Sequence, residues 1–123
     1  MSKINTKVTD SVDFFKGNKP SDLTAKFGSP LYVYSEEILR QRCRDVKNLV
    51  KYPKFSVNYS AKANSNLAFL EIVHEEGLNV DAMSPGEIFV ELKAGFKPEQ
   101  IFYISNNVTA EEMKFAIDHD VLI

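Results

Sequence analysis

From Leu31 onward, apolar and polar positions recur in an order that alternates between two periods. Leu31 to Tyr34 is β-branched and aromatic, which predicts a strand. Ser35, Glu36 and Glu37 follow, residue types that suit the positive end of a helix. In that helix Ile38, Leu39, Cys43, Val46, Leu49 and Val50 return at three- and four-residue intervals, giving one apolar face until Pro53 forbids continuation. The period then changes to two: Phe55, Val57 and Tyr59 alternate with Ser56, Asn58 and Ser60, as in a strand ending near Ser60. Asn66 to Glu76 predicts a second helix whose apolar residues Leu67, Phe69, Leu70, Ile72 and Val73 cover a wide face, with Gly77 as its terminator.

The same unit repeats twice more. Leu78 to Met83 predicts a strand, and Ser84, Pro85 and Glu87 predict a capping box with proline in the first helical turn. Gly95 closes that helix. Ile101 to Ser105 predicts another strand, Thr109 and Glu112 a second capping box, and the helix they open runs to about His119. Val121 to Ile123 begins a further strand. Residues 1–30, with Gly17, Pro20, Gly28 and Pro30 and only short apolar clusters, predict a loosely structured lead-in with one helical turn near Val12 to Phe15. The division expected is therefore a lead-in and first strand over 1–35, and an α/β unit over 36–123.

Strand ends near Ser60, Ala82 and Ile104 fit a repeated strand, helix and two short loops. Parallel strands joined this way build either an open doubly wound sheet or an eight-stranded barrel, and periodicity does not choose between them. No GxGxxG or GxxxxGK[ST] loop follows a strand, which weakens the nucleotide-binding open sheet. Stopping at the start of a strand, the sequence reads as unfinished: a complete barrel needs roughly 250 residues, so half or less of one is expected here.

Composition narrows the function classes. With 15 Lys and Arg against 17 Asp and Glu, the net charge is -2, and no basic stripe is present to track phosphates, so nucleic acid is not an expected partner. No signal-peptide core or membrane-length apolar run occurs, leaving the cytoplasm as the expected location and no membrane partner. The single cysteine, Cys43, lies on an apolar stripe and is expected in the core. His74 and His119 fall in helices, expected to be solvated, without a Cys or His at ligand spacing, so no metal site is expected.

One lysine stands out by position. Lys62, in Tyr59-Ser60-Ala61-Lys62-Ala63-Asn64-Ser65-Asn66, follows directly on a predicted strand, and in a barrel that end of the strands is the face where active sites are built. Small neighbours and desolvation favour the neutral amine that forms a Schiff base. On position alone, a surface lysine in a loop explains Lys62 more economically.

The wording around it changes that balance. YSAKANSN resembles the Y-A-x-K-A-N signature of the fold-type III decarboxylases of diaminopimelate, ornithine and arginine. NVDAMSPGE is similar to that family's V-D-V-V-S-G-G-E block, and LKAGFKPEQIFYISNN to its A-G-x-P-P-E-x-I-x-x-x-G-N-N stretch. Pro85 replaces a glycine of the second block; Ser105 stands where glycine is frequent and Val108 where lysine is. ANSN after the lysine and the pair Asn106 and Asn107 are more similar to diaminopimelate decarboxylases than to ornithine decarboxylases.

This resemblance implies an α/β fold that is the N-terminal portion of a (β/α)8 TIM-type barrel of the alanine-racemase kind, with Lys62 bearing pyridoxal 5'-phosphate. It places Asp81 near the cofactor, holding the lysine amine or ordering its surroundings; a carboxylate serving loop N–H groups is the alternative. Glu87 lies near the site rim by resemblance, and in a helix cap by its spacing from Ser84. Asn64, Asn66, Asn106 and Asn107 could line the site or serve turns. The implied reaction of the parent enzyme is decarboxylation of the small amino acid meso-diaminopimelate to lysine, by a homodimer, with the 123 residues alone inactive. Alternatives are a related ornithine, arginine or carboxynorspermidine decarboxylase, a pyridoxal-phosphate racemase, or a non-catalytic truncated fragment; an aldolase-type barrel using a Schiff-base lysine without cofactor finds no support in the Asp81 to Glu87 block.

Overall fold

The computed structural model describes residues 14–104 and 106–123. The chain divides into two compact units, 1–39 and 40–123. In the first, Phe14 to Gly17 forms a turn, while Val12, at the start of the expected helical turn, lies outside the described residues. A helix that the sequence pattern did not predict follows, α1 (Pro20–Phe27), with proline in its first turn and its last carbonyls met by the Gly28 N–H, which donates to the Thr24 oxygen at 2.9 Å. It buries no residue, which is why no apolar stripe announced it. The strand expected over Leu31 to Tyr34 is not formed: this stretch has no ladder partner among the described residues, and Tyr32 and Tyr34 are exposed. A β-branched and aromatic run suits a strand but cannot make one without a neighbour to pair with.

Helix α2 (Glu36–Lys47) opens with Glu36 and Glu37, as expected from the acidic first turn, but stops well short of Pro53. Of its expected apolar face only Cys43 is buried, and Val46, Leu49 and Val50 are exposed. The second unit continues with β1 (Asn58–Ser60), a short 3-10 turn Ala61–Ala63, α3 (Leu67–Glu75), β2 (Asn79–Ala82), α4 (Pro85–Lys93), a 3-10 turn Pro98–Gln100, β3 (Ile101–Tyr103) and α5 (Ala110–Asp118). Every strand is shorter than its period-two run, because pairing, not propensity, sets where a strand ends. The run from Val121 contributes a single parallel bridge, Phe102 to Leu122.

The sheet has the order β1-β2-β3 and all pairs are parallel, with Asn58 opposite Asn79, Ser60 opposite Asp81, Val80 opposite Ile101 and Ala82 opposite Tyr103. Alternation then sorts side chains onto two faces. Val80, Ala82, Ile101 and Tyr103 are buried, and together with Leu70, Val73, Ile88 and Ala116 of the helices they form the core. Asn58, Ser60, Asn79, Asp81 and Phe102 share the other face, where none is buried. Sequential strands with no reversal of order, covered by helices on one face only, are the arrangement of a closing barrel wall rather than of a doubly wound sheet, whose helices lie on both faces.

Candidate active site at the end of the parallel strands

The carboxyl ends of β1 and β2 carry the chemistry. β1 ends at Ser60, and the chain turns at once into Ala61–Ala63, so Lys62 stands one residue beyond the strand; Ala61 is fully buried and pins the turn, while Lys62 is exposed. The Lys62 amine has no hydrogen-bond or ion-pair partner among the described residues. One strand over, Asp81 sits in register with Ser60, whose hydroxyl donates to the carboxylate, 2.8 Å from both oxygens. Ser60 thus anchors Asp81 on the face opposite the helices, a partner that the register between strands supplies and that the sequence did not show.

The asparagines divide. The Asn64 side chain accepts the Asn66 N–H at 3.0 Å, and the Asn66 side chain caps α3 by accepting the Ala68 N–H at 3.1 Å. Both therefore serve the backbone between Lys62 and α3. Asn106 and Asn107 are exposed beyond β3, and Asn107 has a left-handed backbone, φ 57.

Glu87 differs from the capping box its spacing predicted. Ser84 accepts the Glu87 N–H at 3.2 Å, but the Glu87 carboxylate accepts the N–H of Met83 at 2.6 Å rather than that of Ser84. It therefore ties down the link from β2 to α4, immediately after Asp81. The box of Thr109 and Glu112 is complete on both sides. Neither histidine is simply solvated: His74 packs edge-on against Phe96 and His119 stacks on Phe115, both half-buried. Cys43 is buried as expected, and its thiol is pushed up by burial and by the neighbouring Glu76. No cluster of His, Cys, Asp or Glu that could hold a metal occurs among the described residues.

Sequence reasoning missed Glu91. It lies in α4, fully buried, with neither carboxylate oxygen hydrogen-bonded, and burial followed by repulsion from Glu87 and Asp81 pushes it up to about 8. The signal was available: Ile88, Glu91 and Ala94 fall at three-residue intervals, so the acid sits on the apolar stripe.

An exposed, unpaired amine at a strand end, beside an anchored carboxylate, is a place where an aldehyde cofactor can be held. Comparison with known proteins gives the family. The profile of the family described as pyridoxal-dependent decarboxylase, pyridoxal binding domain, matches residues 36–123. The chain belongs to this family. It is 44% identical over 104 residues to a diaminopimelate decarboxylase of Methanothermobacter thermautotrophicus, covering 83% of this chain and 24% of that protein. To the diaminopimelate decarboxylase of Bacillus subtilis it is 37% identical over 101 residues, 80% of this chain and 23% of that one. Among solved structures, diaminopimelate decarboxylase from Helicobacter pylori complexed with L-lysine superimposes with a TM-score of 0.79 at 30% identity, covering 85% of this chain and 27% of that chain. The chain thus spans about a quarter of the length of these relatives. Its three-stranded parallel sheet is part of a barrel wall, in keeping with the (β/α)8 expectation.

Proposed function

We propose that these residues form the lysine-bearing quarter of a pyridoxal-phosphate-dependent carboxy-lyase acting on meso-diaminopimelate and releasing lysine. The observation that carries this reading is the unpaired Lys62 amine at the end of β1, one strand from an Asp81 carboxylate already oriented by Ser60. The choice of diaminopimelate rests on the names of the relatives, which are 30–44% identical in this region.

Bound through its aldehyde, pyridoxal 5'-phosphate supplies the electron sink that lets a carboxylate leave from the α-carbon of an amino acid. The residues of this chain do the holding. Lys62 offers the amine for attachment, and its exposure leaves it free to be displaced by a substrate amine. Asp81, kept in place by the Ser60 hydroxyl, presents a fixed negative charge that steadies a cationic amine at the strand ends. The 3-10 turn and the Asn64–Asn66 bonds hold the Lys62 backbone while its side chain is exposed. Glu87 fixes the β2 to α4 link and so the height of Asp81.

Assembly as a homodimer in the cytoplasm belongs to the same proposal; among the described residues no helix is long and apolar enough to cross a membrane. The 123 residues alone are expected to release no carbon dioxide from meso-diaminopimelate. In a protein carrying the remaining barrel strands, release is expected from meso-diaminopimelate in preference to ornithine or arginine, and to vanish with Lys62→Ala. Preference for ornithine or arginine would replace the substrate assignment, and activity retained by Lys62→Ala would remove the proposal.

A further inference from the structure

Three carboxylates converge where β2 passes into α4, and no positive charge among the described residues acts on the innermost of them. Asp81 is the last residue of β2 on the open face, before the buried Ala82; Glu87 stands in the first turn of α4, and Glu91 follows it by one helical turn on the buried stripe. Glu91 is 0% exposed and neither of its oxygens has a hydrogen-bond partner. A carboxylate anion without donors is not sustained in an apolar layer, so the buried group carries its proton. Glutamates at i and i+4 on one helix also repel when both are charged.

The elements packed on α4 add nothing that would neutralise a charge there. β2 brings Asp81, and β3 brings Tyr103, whose hydroxyl is itself buried and without a partner. On α3, Glu71 and Glu75 are exposed, and His74 has its ring against Phe96 and Gly95, past the end of α4. On α5, Glu112 is engaged with the Thr109 N–H, and the exposed Lys114 is paired with Asp118 at 2.6 Å.

We propose that Glu91 is a proton-holding switch: protonated, it lets α4 pack on the sheet, and its ionisation loosens the start of α4 and the Met83–Glu87 contact directly behind Asp81. The event is loss of one proton from the Glu91 carboxyl to solvent. Its consequence is local, because the repulsion acts on Glu87, which fixes the β2 to α4 link, and on Asp81 in the strand before it. This stands whether or not the cofactor assignment does, since it concerns only the folded chain.

The test uses the chain without cofactor. Carbon-13 NMR titration of the glutamate carboxyls is expected to show one buried group, absent from the Glu91→Gln spectrum, titrating near pH 8. Hydrogen exchange of the Met83 amide, corrected for its intrinsic pH dependence, is expected to quicken at least tenfold between pH 6.5 and 9 in the wild type and to stay level in Glu91→Gln. A Glu91 midpoint below pH 6 would overturn the proposal. So would Met83 protection that is unchanged in the wild type across that range. If Glu91→Gln does not fold, Glu91→Leu serves as the second variant, with the same level exchange expected and a wild-type-like rise counting against the switch.

Discussion

Ser60 offers one hydroxyl hydrogen to two carboxylate oxygens at equal distance, so it holds Asp81 in position without committing it to one oxygen. Ser60→Ala removes that donor from a half-buried acid and is expected to lower unfolding free energy by about 1 kcal/mol in urea titration, with Ser60→Thr restoring most of it. Glu91 sets a second expectation. Its carboxyl is raised from 4.5 to about 8, so the native state keeps a proton that the unfolded chain releases, and stability falls as pH rises from about 4.5 towards 8. The slope approaches at most about 1.4 kcal/mol per pH unit, and Glu91→Gln is expected to flatten it in urea unfolding measured from pH 5 to 9. At this scale the sequence was uneven. The positions of Lys62 and Asp81 at the ends of strands were legible from the pattern before them, whereas Glu91 was overlooked although its spacing from Ile88 marked it, since charged residues are expected outside the core.

Helices α3, α4 and α5 were legible because each combines an apolar stripe with a start signal that the structure uses: Asn66, Ser84 and Thr109 all accept a backbone N–H. Asn66→Ala is expected to cost about 1 kcal/mol of stability in thermal or urea unfolding, through loss of the α3 cap. Leu70→Ala, in the fully buried face of α3, is expected to cost about 2–5 kcal/mol by the same measurement. Gly95, at φ 102, follows α4 with the His74 ring 3.2 Å from where a Cβ would sit. Elements that lack a buried face escaped the pattern or were misjudged by it. α1 buries nothing and was missed, the tail of the α2 pattern from Asn48 to Val50 is not helical, and Leu31 to Tyr34 met no partner strand among the described residues. In each case the run of residue types was suitable and the burial that would have fixed it was absent.

At the scale of the whole chain, period and spacing established an α/β repeat and left two architectures open. What separated them was a fact about faces: Val80, Ala82, Ile101 and Tyr103 lie under helices while Ser60, Asp81 and Phe102 share the uncovered side, with strands in sequential order. Facing is decided by register between strands, which a single strand's alternation does not contain. The same register carries the central claim, because it sets Lys62 beside the Ser60–Asp81 pair at the carboxyl end of the sheet. That claim is tested most directly by incubating the chain with pyridoxal 5'-phosphate, reducing with borohydride and mapping the modified peptide by mass. Label on the peptide containing Lys62, lost in Lys62→Ala, is the predicted result; label on other lysines with Lys62 unmodified would contradict it.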